Sequence, residues 1–252
     1  VEGRYRVLAE FAGHGVDVSS EALRYAFIGK VSCFWYAQQP LSDPFSDESL
    51  TDAFGGESIP LLTTIYRKSA VWGQSGKTKG PLDQMLKMLF YNGCVHSWIR
   101  SDADMKEMTD WVYLYVVPWI KVHGLNIETF KREGDRTLIG LEGEASIDLD
   151  WKKQTYSVRI GGAEIARDSS TFCPVDDGRI AFYSLNSREL SAPLPAAWDA
   201  GKIAAIALSL EKASELPATV EGGKISISVP ARQPVMVYRD GEKARKRLLQ
   251  AG

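Results

Sequence analysis

The 252-residue chain holds only three cysteines, Cys33, Cys94 and Cys173, and only three histidines, His14, His96 and His123. Neither set has the close spacing of a zinc site, and three thiols cannot all pair. Cys33 and Cys94 each fall inside an apolar run and read as buried free thiols. No apolar run approaches the roughly 18 residues of a membrane span. The N-terminal Val-Glu-Gly-Arg-Tyr-Arg has no signal-peptide pattern. The formal net charge is -2, with charged residues at 25%, so there is no basic stripe of the kind nucleic acid selects. No strand is followed by a G-x-G-x-x-G or P-loop glycine run, and no G-x-S-x-G elbow supports a serine triad. These absences predict no metal, no cofactor, no nucleic-acid partner and no membrane span.

Aromatic residues are present in quantity but unevenly placed. Residues 1–124 hold 18 of the 26 Phe, Trp and Tyr. Such side chains dominate cores, and they also stack on sugar rings, so the excess fits a large core and a carbohydrate cleft equally.

Along residues 1–124, helical and extended patterns alternate. Arg4 to Ala12 has helical spacing and stops at Gly13 and Gly15. Gly15 to Ser20 predicts a first strand, and Lys30 to Ala37 a second that is apolar on both faces, as in a covered parallel sheet. Ser46 opens a short acidic helix, Asp47 to Phe54. Ile59 to Tyr66 predicts a third strand, followed by a glycine-bearing loop from Arg67 to Gly80 and a helix from Pro81 to Phe90. Cys94 to Ile99 predicts a fourth strand, and Ser101-Asp-Ala-Asp104 resembles a capping box for a helix running to about Pro118 or slightly beyond.

After Gly124 the pattern changes to short alternating strands separated by turns such as Gly161-Gly162 and Glu221-Gly-Gly223. Strands are predicted at 136–142, 145–150, 155–160, 179–185, 203–210, 224–229 and 234–239, a spacing that suggests a β-sandwich. The tail from Gly241 to Gln250 is basic and reads as a short frayed helix. The expected organisation is therefore α/β plus all-β. Residues 1–124 form the second half of a TIM (β/α)8 barrel, 125–240 an antiparallel β-sandwich, and 241–252 a basic tail. A four-unit open α/β domain fused to a sandwich is the rival architecture, since four βα units do not close a barrel.

The most informative stretch is Gly15-Val-Asp-Val-Ser-Ser-Glu21, a β-branched strand that ends on a carboxylate. Barrel enzymes mount catalytic groups at such C-terminal strand tips. Gly15-Val-Asp-Val-Ser-Ser-Glu21-Ala-Leu-Arg24, Gly29-Lys-Val-Ser-Cys-Phe-Trp35-Tyr and Ile59-Pro-Leu-Leu-Thr-Thr-Ile-Tyr66 resemble the second half of the endo-α-N-acetylgalactosaminidase-type barrel, glycoside hydrolase families 101 and 129. The resemblance covers about residues 1–124 and, more loosely, the sandwich after them. It implies a retaining hydrolase of α-linked sugars, acting on N-acetylgalactosaminides of O-glycans, with a carbohydrate or glycoprotein substrate and a secreted or periplasmic location. It also implies that Glu21 is the proton donor at the end of the fifth barrel strand. The nucleophile, an Asp ending the fourth strand, then precedes Val1 in a missing N-terminal half, and the 252-residue chain alone is expected to give no turnover.

Retaining hydrolysis needs two carboxyl groups about 5–5.5 Å apart, one attacking the anomeric carbon and one protonating the departing oxygen. The donor stays protonated near neutral pH when an apolar wall and a nearby carboxylate raise its pKa. Each candidate also has a plainer role. Glu21 is otherwise a turn cap or a surface partner of Arg24. Asp17 binds a sugar hydroxyl or forms a buried pair. Trp35 stacks on a sugar or packs between strand and helix. Tyr66 closes the predicted third strand, while Trp72 and Gln74 fall on the loop after it, as ligand contacts or loop anchors. His96 and Trp98 occupy alternate positions on the fourth strand and share one face, toward the barrel interior or under the last helix. A non-catalytic carbohydrate-binding or scaffold protein, or another barrel glycosidase such as an α-galactosidase, accounts for the same residues.

Overall fold

A computed structural model describes residues 2–14, 19–20, 33–37, 71–75, 94–96, 109–209 and 212–249. Contacts divide the chain into two compact units. The first comprises Val1–Arg100, Val122–Gly143 and Leu149–Gln154; the second comprises Ser101–Lys121, Glu144–Asp148 and Thr155–Gly252.

The first unit opens with α1 (Glu2–Gly13). It closes where His14 N–H donates to the carbonyls of Glu10 and Phe11 at 3.2 and 3.1 Å. Four parallel strands follow: β1 (Ser19–Ser20), β2 (Cys33–Ala37), β3 (Val71–Ser75) and β4 (Cys94–His96). They lie side by side in chain order, β1-β2-β3-β4, each pair parallel. Parallel neighbours in sequence order require a crossover between each pair of strands.

One expectation changes here. Val71–Ser75 lies between β2 and β4 and pairs with both, while the predicted strand Ile59–Tyr66 lies outside the described residues. Trp72 and Gln74 consequently stand on β3 and not on a loop. Gly73 explains the misreading. A glycine among Gly and Ser residues reads as a loop signal, but β3 is central, with ladder partners on both sides (Trp35 and Val95 flank Gly73), and pairing on two edges overrides weak propensity.

A hairpin, β5 (Ile127–Glu133) and β6 (Arg136–Leu141), also belongs to the first unit. It turns at Gly134, whose φ of 57° is costly for a residue with a Cβ. The Trp151 indole N–H donates to Thr137 Oγ1 at 2.9 Å and its backbone N–H to the Asp135 carbonyl at 2.8 Å, tying the 149–154 segment to the hairpin.

The second unit is mostly antiparallel. One sheet holds, in spatial order, β14 (Ser214–Leu216), β13 (Ala204–Ala207), β17 (Val235–Tyr238), β11 (Arg179–Ser184), β10 (Ser170–Asp176), β9 (Ala163–Arg167) and β8 (Thr155–Ile160). β7 (Ala145–Asp150) has its first four residues in this unit. A smaller sheet runs β12 (Arg188–Pro193), β16 (Lys224–Val229), β15 (Ala218–Glu221). The alternation of β16 buries Ile225, Ile227 and Val229. These pack with Leu190 and Ala192 of β12 against Ile180, Phe182, Ala205, Ala207, Val235 and Val237 of the larger sheet. Two antiparallel sheets sharing one apolar core make this region a β-sandwich.

Helices cover parts of the larger sheet's other face. The π-turn Val112–Val116 leads into α2 (Val117–Val122), whose Lys121 donates to the Val175 carbonyl at 2.6 Å. The tail forms α3 (Gly241–Leu248), capped by the Asp240 carboxylate, which accepts from Lys243 N–H at 3.0 Å. Its Ala244 packs on Ala204 and Ile206, so all four residues of β13 are buried, two on each face.

Candidate functional site

The parallel sheet of the first unit is where a site is best placed, because working groups of parallel sheets gather at the C-terminal ends of the strands. β1 ends at Ser20, directly before Glu21. Across the sheet, the backbone register makes three rows. Ser20 lies beside Phe34, Phe34 beside Trp72, and Trp72 beside Cys94. Trp35 lies beside Gly73, and Gly73 beside Val95. Tyr36 lies beside Gln74, and Gln74 beside His96.

Cross-strand partners share a face and successive residues alternate. In the backbone register Gln74 and His96 stand in the same row at the C-terminal ends of β3 and β4. Trp35 belongs to the row of Gly73 and Val95. Tyr36, which the sequence reading passed over in favour of Trp35, stands in the row of Gln74 and His96. The signal that would have found it is the pairing of Gln74 with the second strand, hidden once 71–75 was read as loop. Glu21, Asp17, Tyr66 and Trp98 lie outside the described residues.

A polar cluster in the second unit has a different character. The Tyr183 hydroxyl donates to Asp110 Oδ1, and Arg232 Nη1 donates to Asp110 Oδ2 at 2.7 Å. Tyr113 stacks on Tyr183 with ring centroids 5.3 Å apart. Burial, and then the bond to Asp110, hold the Tyr183 phenol above its ordinary range, so it stays a neutral donor. With both carboxylate oxygens engaged, Asp110 serves as a tie between the helical segment and β11 and not as a free base. Burial likewise pushes the Cys173 thiol up to about 12, which leaves it protonated and unreactive at neutral pH.

Among the described residues no three of His, Cys, Asp and Glu are grouped as a metal site would require. No helix among them is long and apolar enough to cross a membrane.

No family model matches the chain, and no curated protein matches it. Solved structures that align with it include an α-N-acetylgalactosaminidase from Bifidobacterium bifidum in a quadruple mutant form, at 19% identity and a TM-score of 0.47. That alignment covers 63% of this chain and 26% of the bacterial enzyme, so the chain spans about a quarter of that protein's length. A family 30 endoxylanase from Clostridium papyrosolvens aligns at 9% identity and a TM-score of 0.32, over 92% of this chain and 68% of its own. A bifunctional glucanase-xylanase from a metagenome library aligns at 8% identity and a TM-score of 0.30, over 82% and 43%.

Proposed function

We propose that the chain is part of a retaining glycoside hydrolase acting on α-linked sugars, N-acetylgalactosaminides of O-glycans in particular, with Glu21 as general acid/base. The observation that carries this reading is the four-stranded parallel sheet in chain order, whose first strand stops one residue before Glu21. Sequential parallel strands with crossovers are the construction of a (β/α)8 barrel, and residues 1–124 are read as its C-terminal half, with 125–240 as the sandwich domain and 241–252 as the basic tail. Trp72, Gln74 and His96 are read as substrate-binding residues. Asp17, Trp35, Tyr66 and Trp98 are assigned to the same cleft from their sequence positions.

The chemistry asks three things of Glu21. It must hold a proton near neutral pH, then give it to the glycosidic oxygen as that bond breaks, and later take one from the attacking water. The partner nucleophile is assigned to no residue of this chain. The test is the hydrolysis of an aryl α-N-acetylgalactosaminide by the complete protein and its Glu21→Gln variant. The proposal expects a loss of about 10²–10⁴-fold, the usual worth of general acid–base catalysis. Binding of the sugar without hydrolysis by the wild-type protein would favour a carbohydrate-binding protein, and an unchanged rate in Glu21→Gln would remove Glu21 from the mechanism.

A further inference from the structure

We infer that the larger sheet of the second unit carries a binding site for an acidic sugar, in the trough between α3 and the π-turn Val112–Val116. Its groups are Arg247 and Lys243 of α3, Tyr238 of β17, Arg179 of β11 and Tyr113 of the π-turn, all in the second unit. The choice of a sugar over other anions rests on the glycosidase reading above; the site does not depend on Glu21. Its placement follows from register. Ala204, Tyr238 and Arg179 stand side by side across β13, β17 and β11. Their face points away from the sandwich core, which takes Ala205, Val237 and Ile180 instead. α3 packs over β13 and β17, and the π-turn over β11 and β10, where Tyr113 stacks on Tyr183. The strand order β13-β17-β11-β10 therefore leaves the junction of β17 and β11 between them, floored by Tyr238 and Arg179.

On α3, Ala244 faces the sheet and Arg245 reaches Glu215 of β14 on one flank. A turn of about 100° per residue puts Lys243 and Arg247 on the opposite flank, toward β17. Both are exposed, and neither has an ion-pair partner among the described residues. Tyr238 and Tyr113 are half-buried. Burial, the largest influence, holds both phenols above their ordinary range, so they stay neutral donors; Arg179 acts on both and Arg247 on Tyr238. Arg179 also holds Asp176 at 2.6 Å, which offsets the carboxylate that would repel an anion. An acidic sugar matches this set. Its carboxylate or sulfate takes Arg247 and Lys243, and its hydroxyls take the phenols.

The test measures binding to the complete protein by calorimetry, with glucuronic acid, N-acetylgalactosamine 6-sulfate, neutral N-acetylgalactosamine and inorganic sulfate as probes. Both acidic sugars are expected to bind, more weakly in 0.5 M salt. Arg247→Gln should lower their affinity about tenfold and Tyr238→Phe about fivefold, the sizes of a charged and a neutral hydrogen bond. Lys243→Gln carries the comparison if Tyr238→Phe does not fold. Lys246→Gln, on the solvent side of α3, should leave the affinity unchanged. Binding of neutral N-acetylgalactosamine and hydrolysis of an aryl α-N-acetylgalactosaminide should not change in Arg247→Gln. Equal losses in Lys246→Gln and Arg247→Gln would mean diffuse surface charge and overturn the site. Inorganic sulfate binding as tightly as the sulfated sugar would overturn it too, because the phenols would then add nothing. Wild-type protein that hydrolyses the aryl glycoside but binds neither acidic sugar overturns the trough alone. Protein that binds them without hydrolysing the glycoside supports the trough and overturns the hydrolase reading.

Discussion

Pro118 shows how a single residue shapes the second unit. A proline in a helix has no N–H for the carbonyl four residues back, here that of Leu114. The helix answers with a π-turn, in which Val117 N–H reaches back to the Val112 carbonyl. The Tyr156 hydroxyl donates to the Leu114 carbonyl, and its ring packs on Tyr115 at 5.4 Å. Tyr156→Phe keeps the packing and strips the donor from a buried carbonyl. It is expected to lower stability by about 1–3 kcal/mol in urea unfolding, with the slope unchanged. A helix running to about Pro118 or slightly beyond was legible in the sequence, and the observed helix ends at Val122. The residue scale is also where the candidate site was least legible. Trp35 was singled out and Tyr36 was not, although register and not residue type decides which of two adjacent aromatics joins the row of Gln74 and His96.

At the scale of elements, strands whose pattern is decided by their own two faces were read to within a residue or a few: Ala145–Asp150, Thr155–Ile160 and Lys224–Val229 coincide with the observed strands. Others were missed for identifiable reasons. Ile127–Glu133 is mostly exposed and charged, so its alternation carries little apolar signal. Ser170–Asp176 contains Pro174, and the ladder shifts register between Pro174 and Asp176, where a proline is tolerated. The tail helix was legible in its position but not in its order. What fixes it is Asp240 at its cap and Gly241 at its first turn, where Gly241 N–H donates to the Lys202 carbonyl at 2.7 Å. A Cβ on Gly241 would stand 2.7 Å from the backbone carbon of Ile203 and from the Lys202 oxygen, neither of which can swing away. Gly241→Ala is expected to cost about 1–3 kcal/mol by overpacking, and Asp240→Ala about 1 kcal/mol by loss of the cap. Both should raise hydrogen exchange in 241–248 while leaving the sandwich strands protected; uniform loss of protection would mean that the helix and sheets unfold as one.

At the scale of the whole molecule, the alternation of small and branched residues builds a sandwich whose ion pairs sit at its margins. Arg179 hydrogen-bonds Asp176 and Arg245 hydrogen-bonds Glu215, holding both carboxyls below their usual range. A carboxylate whose folded pKa is depressed binds fewer protons folded than unfolded. Its stabilising effect is therefore present above the ordinary carboxylate range and is lost as pH falls through the folded value. The thermal midpoint is expected to stay level from neutral pH down to the ordinary carboxylate range and to decline below it, where the unfolded chain takes up protons that the folded pairs still exclude. The contribution is modest because both pairs are largely solvated, and 0.5 M salt should shrink it. A midpoint that rose on acidification would contradict the assignment.

The central claim is that the strand ending at Ser20 presents Glu21 as a proton donor to a glycosidic oxygen. It is tested most directly by the leaving-group dependence of the Glu21→Gln variant of the complete protein. A donor matters most where the departing oxygen is a poor leaving group and least where it leaves unaided. The account predicts a deficit of about 10²–10⁴-fold on an alkyl or sugar aglycone, shrinking strongly on a dinitrophenyl α-N-acetylgalactosaminide. An equal deficit on both substrates, or none on either, would contradict it.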